Sequence, residues 1–381
     1  MRKFIYIFIA VSLALCCGTK QDKVDKIMQN GVEVVHNHLE PYKIKGELST
    51  FSLEKEFSID LSKDEIAKKG LADIFAIDVD SEGSVYILNG KPLEYFIFKF
   101  DKNGKFLMSF ARNGQGPGET DGGMYFGVDN RDNIIVTDIS GLKSLVFDKS
   151  GELIIEIHFP NRKFAWYPLE NGNYLAYWRN YTTPYADYFD DFFDLYTSKF
   201  EKIKVLDTRK WLTPKKNGIR GNRIVPIFTW RKSKEHIFIG NEDRAYEIWM
   251  FDLEGNLLRK IKKEFMPVKV QIPEEKKKEL SGLWGSDVKV WFSDNWPPFS
   301  SFFPDDEGRL FVQTFEQGTN PKEYLYDIFT PEGAFIGTKG LNILPNEAYG
   351  VYAVAKKHRL YCVQEKEGGY KELIVYKMIW K

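Results

Sequence analysis

The sequence predicts an all-β fold assembled from a repeated four-stranded unit, and three observations carry that prediction. Aromatic residues make up 15% of the chain and glycine occurs 30 times, a combination that favours strands and tight turns. Short apolar runs are separated by clusters of Asp, Asn and Gly, which supply the backbone angles that turns require. Residues 73–119 form one such unit, with apolar runs at 75–77, 85–88, 95–98 and 106–110, and the unit recurs along the chain.

The turn between the third and fourth strands is the clearest marker of the repeat. An aromatic residue begins it and a glycine ends it, at Phe100–Gly104, Phe147–Gly151, Phe251–Gly255 and Phe329–Gly333, and Phe200 marks a copy without glycine. A period of about 50 residues with four strands per unit is typical of a β-propeller. The repeats predict six blades, at residues 73–112, 124–159, 163–207, 224–265, 299–341 and 349–380.

The sixth unit ends after its third strand, so the ring needs one strand from elsewhere. Residues 51–61 alternate apolar and polar side chains, and we expect them to pair with Leu373–Tyr376 and remove the free sheet edges. In the long insertion 267–292, Pro273 is followed by acidic and then basic residues, an order that suits the start of a helix. The predicted fold is therefore a six-bladed β-propeller of four-stranded antiparallel blades, closed by an N-terminal strand, with one helical insertion between blades 4 and 5.

Residues 1–17 have the features of a bacterial lipoprotein signal peptide. Arg2 and Lys3 precede an apolar stretch that is too short to span a bilayer as a mature helix. Residues 13–17 resemble a lipobox, in which the cysteine after the cleavage site carries the lipid. Cys17 is the preferred acceptor because the residue before it is small, Cys16 is the alternative, and an ordinary secreted protein cut nearby is the other interpretation. Neither cysteine is followed directly by Asp, which favours an outer-membrane anchor.

Residues 18–50 are polar and show no sustained period, so we interpret them as a tether with one short helix at Val24–Asn30. The predicted organisation is thus a signal peptide at 1–17, a tether at 18–50 and a propeller at 51–381. The propeller keeps one cysteine, Cys362, in an apolar run that predicts a buried structural thiol.

Charge excludes some classes of partner. Lys and Arg together number 54, as do Asp and Glu, so the chain has no bulk electrostatic reason to bind nucleic acid. Removal of the signal peptide leaves 52 basic and 54 acidic residues, which does not change that conclusion.

Arg112–Glu119 reads RNGQGPGE, a Gly-rich segment that follows the first blade. In this position it resembles a motif of the six-bladed NHL/TolB-like propeller lipoproteins that are abundant in Bacteroidetes. The resemblance covers nearly the whole chain from Phe51. It implies a propeller lipoprotein, but no particular activity, because propellers host many functions.

The distribution of long connections predicts where a ligand binds. Connections from the second to the third strand and from blade to blade share one face, and every long loop falls in that set. We expect function on this long-loop face, because loops vary while blades hold them rigid. Its candidate residues are Arg112, Gln115, Glu119, Tyr185, Asp187, Tyr188, Trp284, Trp291 and Trp296.

Each group of candidates also has a structural interpretation. The Gly-rich run is followed by a strand instead of a helix, which favours a blade-to-blade turn over a phosphate site. Phe192 and Phe193 fit the start of a third strand whose neighbouring aspartates are solvated at its rim. The three tryptophans of the insertion either pack it against the propeller or contact a ligand or partner.

Histidine placement argues against an enzyme. His36 and His38 fall in the predicted tether, and no histidine falls on the long-loop face. The propeller lyases and lactonases that resemble this fold use His or carboxylate ligands around a central metal. We therefore predict a non-catalytic binding or scaffold protein for a glycan, peptide or envelope protein, with no cofactor. A metal-dependent lyase or lactonase is the alternative, and a Ca²⁺ site that uses Asp78 or Asp129 is left open.

Overall fold

A computed structural model of the protein describes residues 24–43, 48–138, 140–160, 164–180, 188–212, 221–222, 227–282, 290–345 and 351–381. Within these ranges the chain forms twenty-eight β-strands, two short α-helices and one 3-10 turn. Six antiparallel sheets follow one another along the chain, each with four blade strands. The protein is an all-β, six-bladed propeller, as the repeats predict.

The elements before the first blade are β1 (Asp25–Gln29), β2 (Val32–Asn37), β3 (Phe51–Asp60) and α1 (Asp64–Ala67). Blade one contains β4 (Ile74–Val79), β5 (Val85–Asn89), β6 (Tyr95–Phe100) and β7 (Phe106–Arg112). Blade two contains β8 (Gly123–Val128), β9 (Ile134–Asp138), β10 (Lys143–Phe147) and β11 (Leu153–His158). Blade three contains β12 (Phe164–Pro168), β13 (Tyr174–Asn180), β14 (Tyr188–Tyr196) and β15 (Lys202–Leu212), and β16 (Gly221–Asn222) follows it.

Blade four contains β17 (Phe228–Lys232), β18 (His236–Asn241), a 3-10 turn (Glu242–Arg244), β19 (Glu247–Asp252) and β20 (Leu257–Lys263). The insertion contributes α2 (Glu274–Gly282) and β21 (Val290–Trp291), and β21 forms a two-residue parallel pair with β16. Blade five contains β22 (Ser301–Pro304), β23 (Leu310–Gln317), β24 (Tyr324–Phe329) and β25 (Phe335–Leu341). Blade six contains β26 (Ala353–Lys356), β27 (Arg359–Glu365) and β28 (Lys371–Trp380).

The turns that mark the repeat share one local chemistry. In blade one the Asp101 Oδ1 accepts hydrogen bonds from the backbone N–H groups of Asn103 and Lys105, and Gly104 between them has a φ of 84°. The glycine-less copy keeps the same geometry, because Phe200 itself takes a φ of 62°. The turn is therefore encoded by its first side chain as much as by glycine.

The ring closes as the sequence predicts. β3 pairs antiparallel with β28, with Ile59 opposite Leu373 and Lys55 opposite Tyr376. At the other end of the pair the Phe51 and Trp380 rings lie 4.9 Å apart. β3 is thus the fourth strand of blade six, which joins the two ends of the propeller chain.

The predicted tether is wrong for residues 25–37, and so is the predicted helix at Val24–Asn30. These residues form a hairpin, β1–β2, whose turn at Asn30 and Gly31 has φ angles of 53° and 81°. β2 pairs in parallel with β20, so the hairpin extends blade four outward to six strands. β20 lies more than 200 residues after β2 in the sequence. The residues near β2 therefore give no sign of this pairing.

Asn37 joins this hairpin to two blades. Its Nδ2 donates hydrogen bonds to the backbone oxygens of Lys262 and Gly333, both at 2.9 Å. Its Oδ1 accepts one from the Phe335 N–H at 2.8 Å, and the side chain is fully buried. Because each polar atom of the buried amide is satisfied, the hairpin is an integral part of the propeller.

The predicted helix in the insertion is confirmed as α2, between blades four and five. Glu274 pairs with Lys277 and Lys276 with Glu279, each three residues apart on its exposed surface. The core lies in apolar layers between neighbouring blades. The six innermost strands β4, β8, β12, β17, β22 and β26 surround a central channel, which positions the site.

Candidate functional site in the central channel

A cavity of about 860 Å³ occupies the central channel. Its walls come from the innermost strands of the blades, and one end is bounded by residues of the short turns, including Ser81, Asp132, Glu170, His236 and Asp306. Among the residues that the structure describes, those of the connections 112–122, 265–282 and 315–323 do not line it. Arg179 and Asp191, at the two ends of the long connection within blade three, do line it. The cavity is therefore bounded mainly by short-turn residues but includes two residues of the long-loop set.

An aromatic wall lines the side of the cavity next to blades two, three and four. The Tyr125 ring lies 5.0 Å from Tyr167 and 6.1 Å from Trp230, and Tyr167 lies 4.7 Å from Trp230. The missing side chain of Gly127 makes room for this arrangement, since a Cβ there would lie 3.2 Å from the Tyr125 hydroxyl. Aromatic surfaces of this kind stack on planar groups or on the apolar faces of sugar rings.

Five basic side chains of the described residues line the cavity. Arg179 lies on β13, Arg231 and Lys232 on β17, Lys234 in the turn that follows, and Lys356 on β26. Lys232 Nζ lies 3.0 Å from a carboxylate oxygen of Glu170, whose side chain is only 8% exposed. Lys356 Nζ donates a hydrogen bond of 2.7 Å to the Val79 carbonyl and is electrostatically coupled to Asp78. These two lysines therefore have acidic neighbours.

Arg231 has no such neighbour. Its guanidinium donates hydrogen bonds to the Trp230 carbonyl at 2.7 Å and, weakly, to the Thr229 hydroxyl at 3.5 Å. No carboxylate of the described chain pairs with it, and the titratable groups that act on it are Tyr125 and Tyr167. Burial lowers the pKa of Arg231 to about 10, so the group still carries its charge at neutral pH.

Asp78 lies on β4 of blade one and is close to Gly127 on β8, where a Cβ would be 3.6 Å from its Oδ2. Its oxygens accept hydrogen bonds from the Val128 and Val79 N–H groups, both at 2.7 Å. Burial raises the pKa of Asp78, against the opposing effect of Lys356.

The acidic residues at the rim are bound into turns. Asp129 Oδ1 accepts hydrogen bonds from the Arg131 and Asn133 N–H groups, both at 2.8 Å. Asp132 accepts from Ser81 of the neighbouring blade. These carboxylates join turns and blades to one another.

Blade three contributes a further ion pair. Arg179 and Asp191 face each other on β13 and β14, and the guanidinium binds both carboxylate oxygens, at 2.6 and 2.9 Å. Asp191 is fully buried, and so is Asp194, which accepts hydrogen bonds from Trp178 and Lys202. The expectation that these aspartates are solvated at a rim is wrong, because the strands extend into what the sequence presents as loops. Phe192 and Phe193 are strand residues, as the structural interpretation held.

The Gly-rich segment is self-contained. Gln115 Nε2 donates a hydrogen bond to Asp121 at 3.0 Å, and Glu119 accepts one from the Gly116 N–H at 2.9 Å. A Cβ at Gly114 would lie 2.2 Å from the Glu119 carboxylate, so any other residue there would displace that carboxylate. Arg112 is exposed at the end of β7. These contacts fit the blade-to-blade turn, and none of the three candidates lines the cavity.

Trp296 is the one remaining long-loop candidate whose side chain the structure describes, and it does not line the cavity. Trp296 stacks on Phe315 at 4.8 Å, a packing contact between the insertion and blade five. Tyr185, Asp187 and Trp284 lie outside the described residues, as do the side chains of Tyr188 and Trp291.

Sequence reasoning did not find the channel residues. Arg231 and Lys232 are consecutive basic residues in an innermost strand, and the runs in the first strands of the other blades carry no such pair. That contrast is the sequence signal from which the cations of the channel could have been predicted.

A group of three potential metal ligands lies elsewhere, on the N-terminal hairpin. Among the described residues, Asp25, His36 and His38 each place one potential ligand atom within 4.8 Å of the other two, a spacing that is compatible with a shared metal ion. The two histidines were expected in a tether, and the structure places them on and next to β2. No group of this kind is found in the described part of the channel.

Cysteine placement agrees with the sequence where the structure describes it. Cys362 is buried, and burial raises the pKa of its thiol to about 12, as expected of a structural thiol. Cys16 and Cys17 lie outside the described residues. In the described part of the chain, no helix has both the length and the apolar character needed to cross a membrane.

The fold and the channel define a six-bladed β-propeller with a charged central cavity. A family model described as a 6-bladed beta-propeller, DUF5128, matches residues 70–210. A solved structure of a DUF4221 family member from Bacteroides vulgatus is similar in fold, with 12% identity, a TM-score of 0.53 and coverage of 88% of this chain and 99% of that chain. A search of curated proteins finds no match.

Weaker structural similarity extends to two enzymes. A gluconolactonase from Xanthomonas campestris shows 9% identity and a TM-score of 0.39 over 86% of this chain and 100% of that chain. A virginiamycin B lyase from Staphylococcus aureus shows 13% identity and a TM-score of 0.37 over 87% of this chain and 100% of that chain. Similarity at this level carries no argument about chemistry.

Proposed function

We propose that the protein is a binding protein of the bacterial envelope that takes a small ring-bearing carboxylic acid into its central channel. One observation carries this proposal: the Arg231 guanidinium lines the cavity beside an aromatic wall and has no acidic partner in the described chain. A half-buried cation in a channel without a counter-charge is costly, and a ligand carboxylate would reduce that cost.

The chemistry of the walls defines the ligand class. Arg231 presents a planar donor group that matches a carboxylate, whereas Lys232 is already paired with Glu170. Tyr125, Tyr167 and Trp230 offer ring faces next to this cation. A sugar acid and an aromatic acid both satisfy the two requirements, and they are the two members of the class to be separated by experiment.

The size of the cavity agrees with a small molecule. Its volume of about 860 Å³ lies within the range of roughly 300–1,000 Å³ that is usual for small-molecule sites. Of the partners that the sequence suggested, a single acidic sugar unit of a glycan fits the channel better than a peptide or an envelope protein. The long-loop face would then serve as scaffold.

The anchor is part of the proposal. Lipid on Cys17, or on Cys16, would hold the chain at the outer membrane, in keeping with the resemblance to NHL/TolB-like propeller lipoproteins. Because the hairpin starts near Val24, only six residues separate it from Cys17, and their extended reach is about 20 Å. The outer edge of blade four would therefore be held close to the membrane.

Ligand titrations with uronic acids and with aromatic carboxylic acids test the channel. We expect one member of the panel to bind, and its amide or methyl ester to bind at least about tenfold more weakly, because loss of one charged hydrogen-bonded pair costs about 1.5–3 kcal/mol. Arg231→Met should reproduce that loss, whereas Arg131→Met at the rim should leave affinity unchanged.

Two results would contradict the proposal. One is equal binding of the acid and its neutral ester by the wild-type protein. The other is unchanged affinity in a folded Arg231→Met variant. Binding that instead responds to Arg112→Met or Trp296→Ala would return the site to the long-loop face.

A further inference from the structure

The N-terminal hairpin brings together two imidazoles and two carboxylates from distant parts of the sequence. Asp25 on β1 is directly opposite His36 on β2, and His38 follows two residues later on the same side of the strand. The ligand atoms of these three residues lie within 4.8 Å of one another. Glu264, just after β20, approaches from blade four, where its N–H is bonded to the Asn37 carbonyl at 2.9 Å.

We propose that Asp25, His36 and His38 form a binding site for a divalent transition-metal ion of the Zn²⁺ type. The Nε2 of His38 lies 3.1 Å from Asp25 Oδ2. Two ligand atoms of a tetrahedral zinc site, each about 2.0–2.1 Å from the ion, are separated by about 3.3 Å. The Asp25–His38 pair is therefore already spaced for the ion, and a ligand atom of His36 lies within 4.8 Å of both.

Glu264 supplies the orienting contact that such a site requires. Its carboxylate lies 3.2 Å from the other ring nitrogen of His38, Nδ1. A hydrogen bond from Nδ1–H to Glu264 would place the lone pair of Nε2 toward Asp25 and His36. The His36 and His38 rings are 5.6 Å apart and nearly perpendicular, which lets both present a nitrogen to one point.

The donor set selects the ion. Two imidazole nitrogens and one carboxylate oxygen suit Zn²⁺, Co²⁺, Ni²⁺ or Cu²⁺, whereas Ca²⁺ and Mg²⁺ prefer all-oxygen sites. Three protein ligands leave a fourth position for water or an external ligand. Because Glu264 belongs to the blade-four end of the cluster, the ion would also strengthen the attachment of the hairpin to the propeller.

The proposal is tested by titrating the purified full chain with Zn²⁺ by calorimetry and with Co²⁺ by visible absorption. We expect one ion per chain, a Co²⁺ spectrum of tetrahedral nitrogen and oxygen ligation without thiolate bands, and a higher melting temperature with metal. His36→Gln, His38→Gln and Asp25→Asn should each weaken binding at least about tenfold, as should Glu264→Gln through its orienting contact.

His358→Gln is the matched control, because His358 is also an exposed histidine beside a carboxylate, 3.3 Å from Glu307, but belongs to no group of three potential ligands among the described residues. It should bind Zn²⁺ like the wild type. The proposal is wrong if the wild-type chain binds no Zn²⁺ at millimolar concentration, or if binding persists unchanged in His38→Gln and Asp25→Asn variants that melt like the metal-free wild type.

Discussion

At the scale of single residues, the most informative feature is the contrast between two neighbouring cations on β17. Lys232 is paired with a buried carboxylate, whereas Arg231 is surrounded by aromatic rings and backbone. Burial penalises both charges, but only Lys232 recovers part of that penalty within the protein. Residues that lower stability in this way are expected where a ligand supplies the missing interaction.

This contrast predicts opposite effects of two similar substitutions. Arg231→Met should raise the free energy of unfolding by about 1 kcal/mol, because a half-buried charge without an acidic partner is replaced by an apolar chain. Lys232→Met should lower it by about 2 kcal/mol, because Glu170 then loses its partner. Urea unfolding at pH 7 measures both, and destabilisation of equal size in the two variants would contradict the assignment of Arg231.

At the scale of elements, ring closure depends on the end of β3 as well as on its backbone pairing. Asp60 is the last residue of β3 and lies opposite Glu372. Its carboxylate accepts hydrogen bonds from the Ser62 N–H and hydroxyl and from Lys366 Nζ, the last at 2.7 Å. These contacts join the closing strand to the loop that follows β27.

The pH dependence of stability follows from the same carboxylate. Burial raises its pKa, but Lys366 and Ser62 outweigh that effect and lower the pKa of Asp60 from 3.8 to about 2. A group with a depressed folded-state pKa stabilises the protein above its unfolded pKa and loses that contribution as pH falls. Asp60→Asn should therefore cost about 1 kcal/mol at pH 7, and the difference from wild type should vanish as pH falls from about 4 to about 2.

Chemical unfolding of both proteins across that pH range measures the difference. Glu54→Gln, an exposed substitution on the same strand, is the control and should shift the curve little. A pH-independent gap between wild type and Asp60→Asn would show that the substitution acts through packing alone.

At the scale of the whole molecule, the hairpin changes how the propeller would relate to a membrane. A tether of 33 residues would have let the propeller orient freely, whereas residues 25–37 are built into blade four. If Cys17 carries lipid, the short remaining segment restrains the molecule to one side. The channel and the proposed metal site then lie on a body with a limited range of orientations.

The anchor makes a prediction for the intact chain. In cells labelled with a palmitate analogue, Cys17→Ala should lose the label and leave the membrane fraction, whereas Cys16→Ala should keep both. The double variant, Cys16→Ala with Cys17→Ala, removes both candidate acceptors. Cys362→Ala is the control and should label like the wild type, because that thiol is buried. Unchanged labelling of the double variant would exclude a lipid anchor at this site.

The sequence by itself determined the repeated unit, the six blades, the closing strand and the helix of the insertion. These features follow from local chemistry: Asp80 and its counterparts bind their own turns, and alternating side chains mark each strand. Even the copy without glycine at Phe200 kept its place in the period.

Only the tertiary structure decided the site. Arg231, Asp78 and Tyr125 lie on three different blades, and their relation depends on ring closure, which no local pattern records. The same reason explains the hairpin, since β2 needs the edge of β20 and His38 meets Glu264 only once that edge is occupied. Turns and strands depend on neighbours in sequence, whereas charge pairing, burial and ligand geometry depend on neighbours in space.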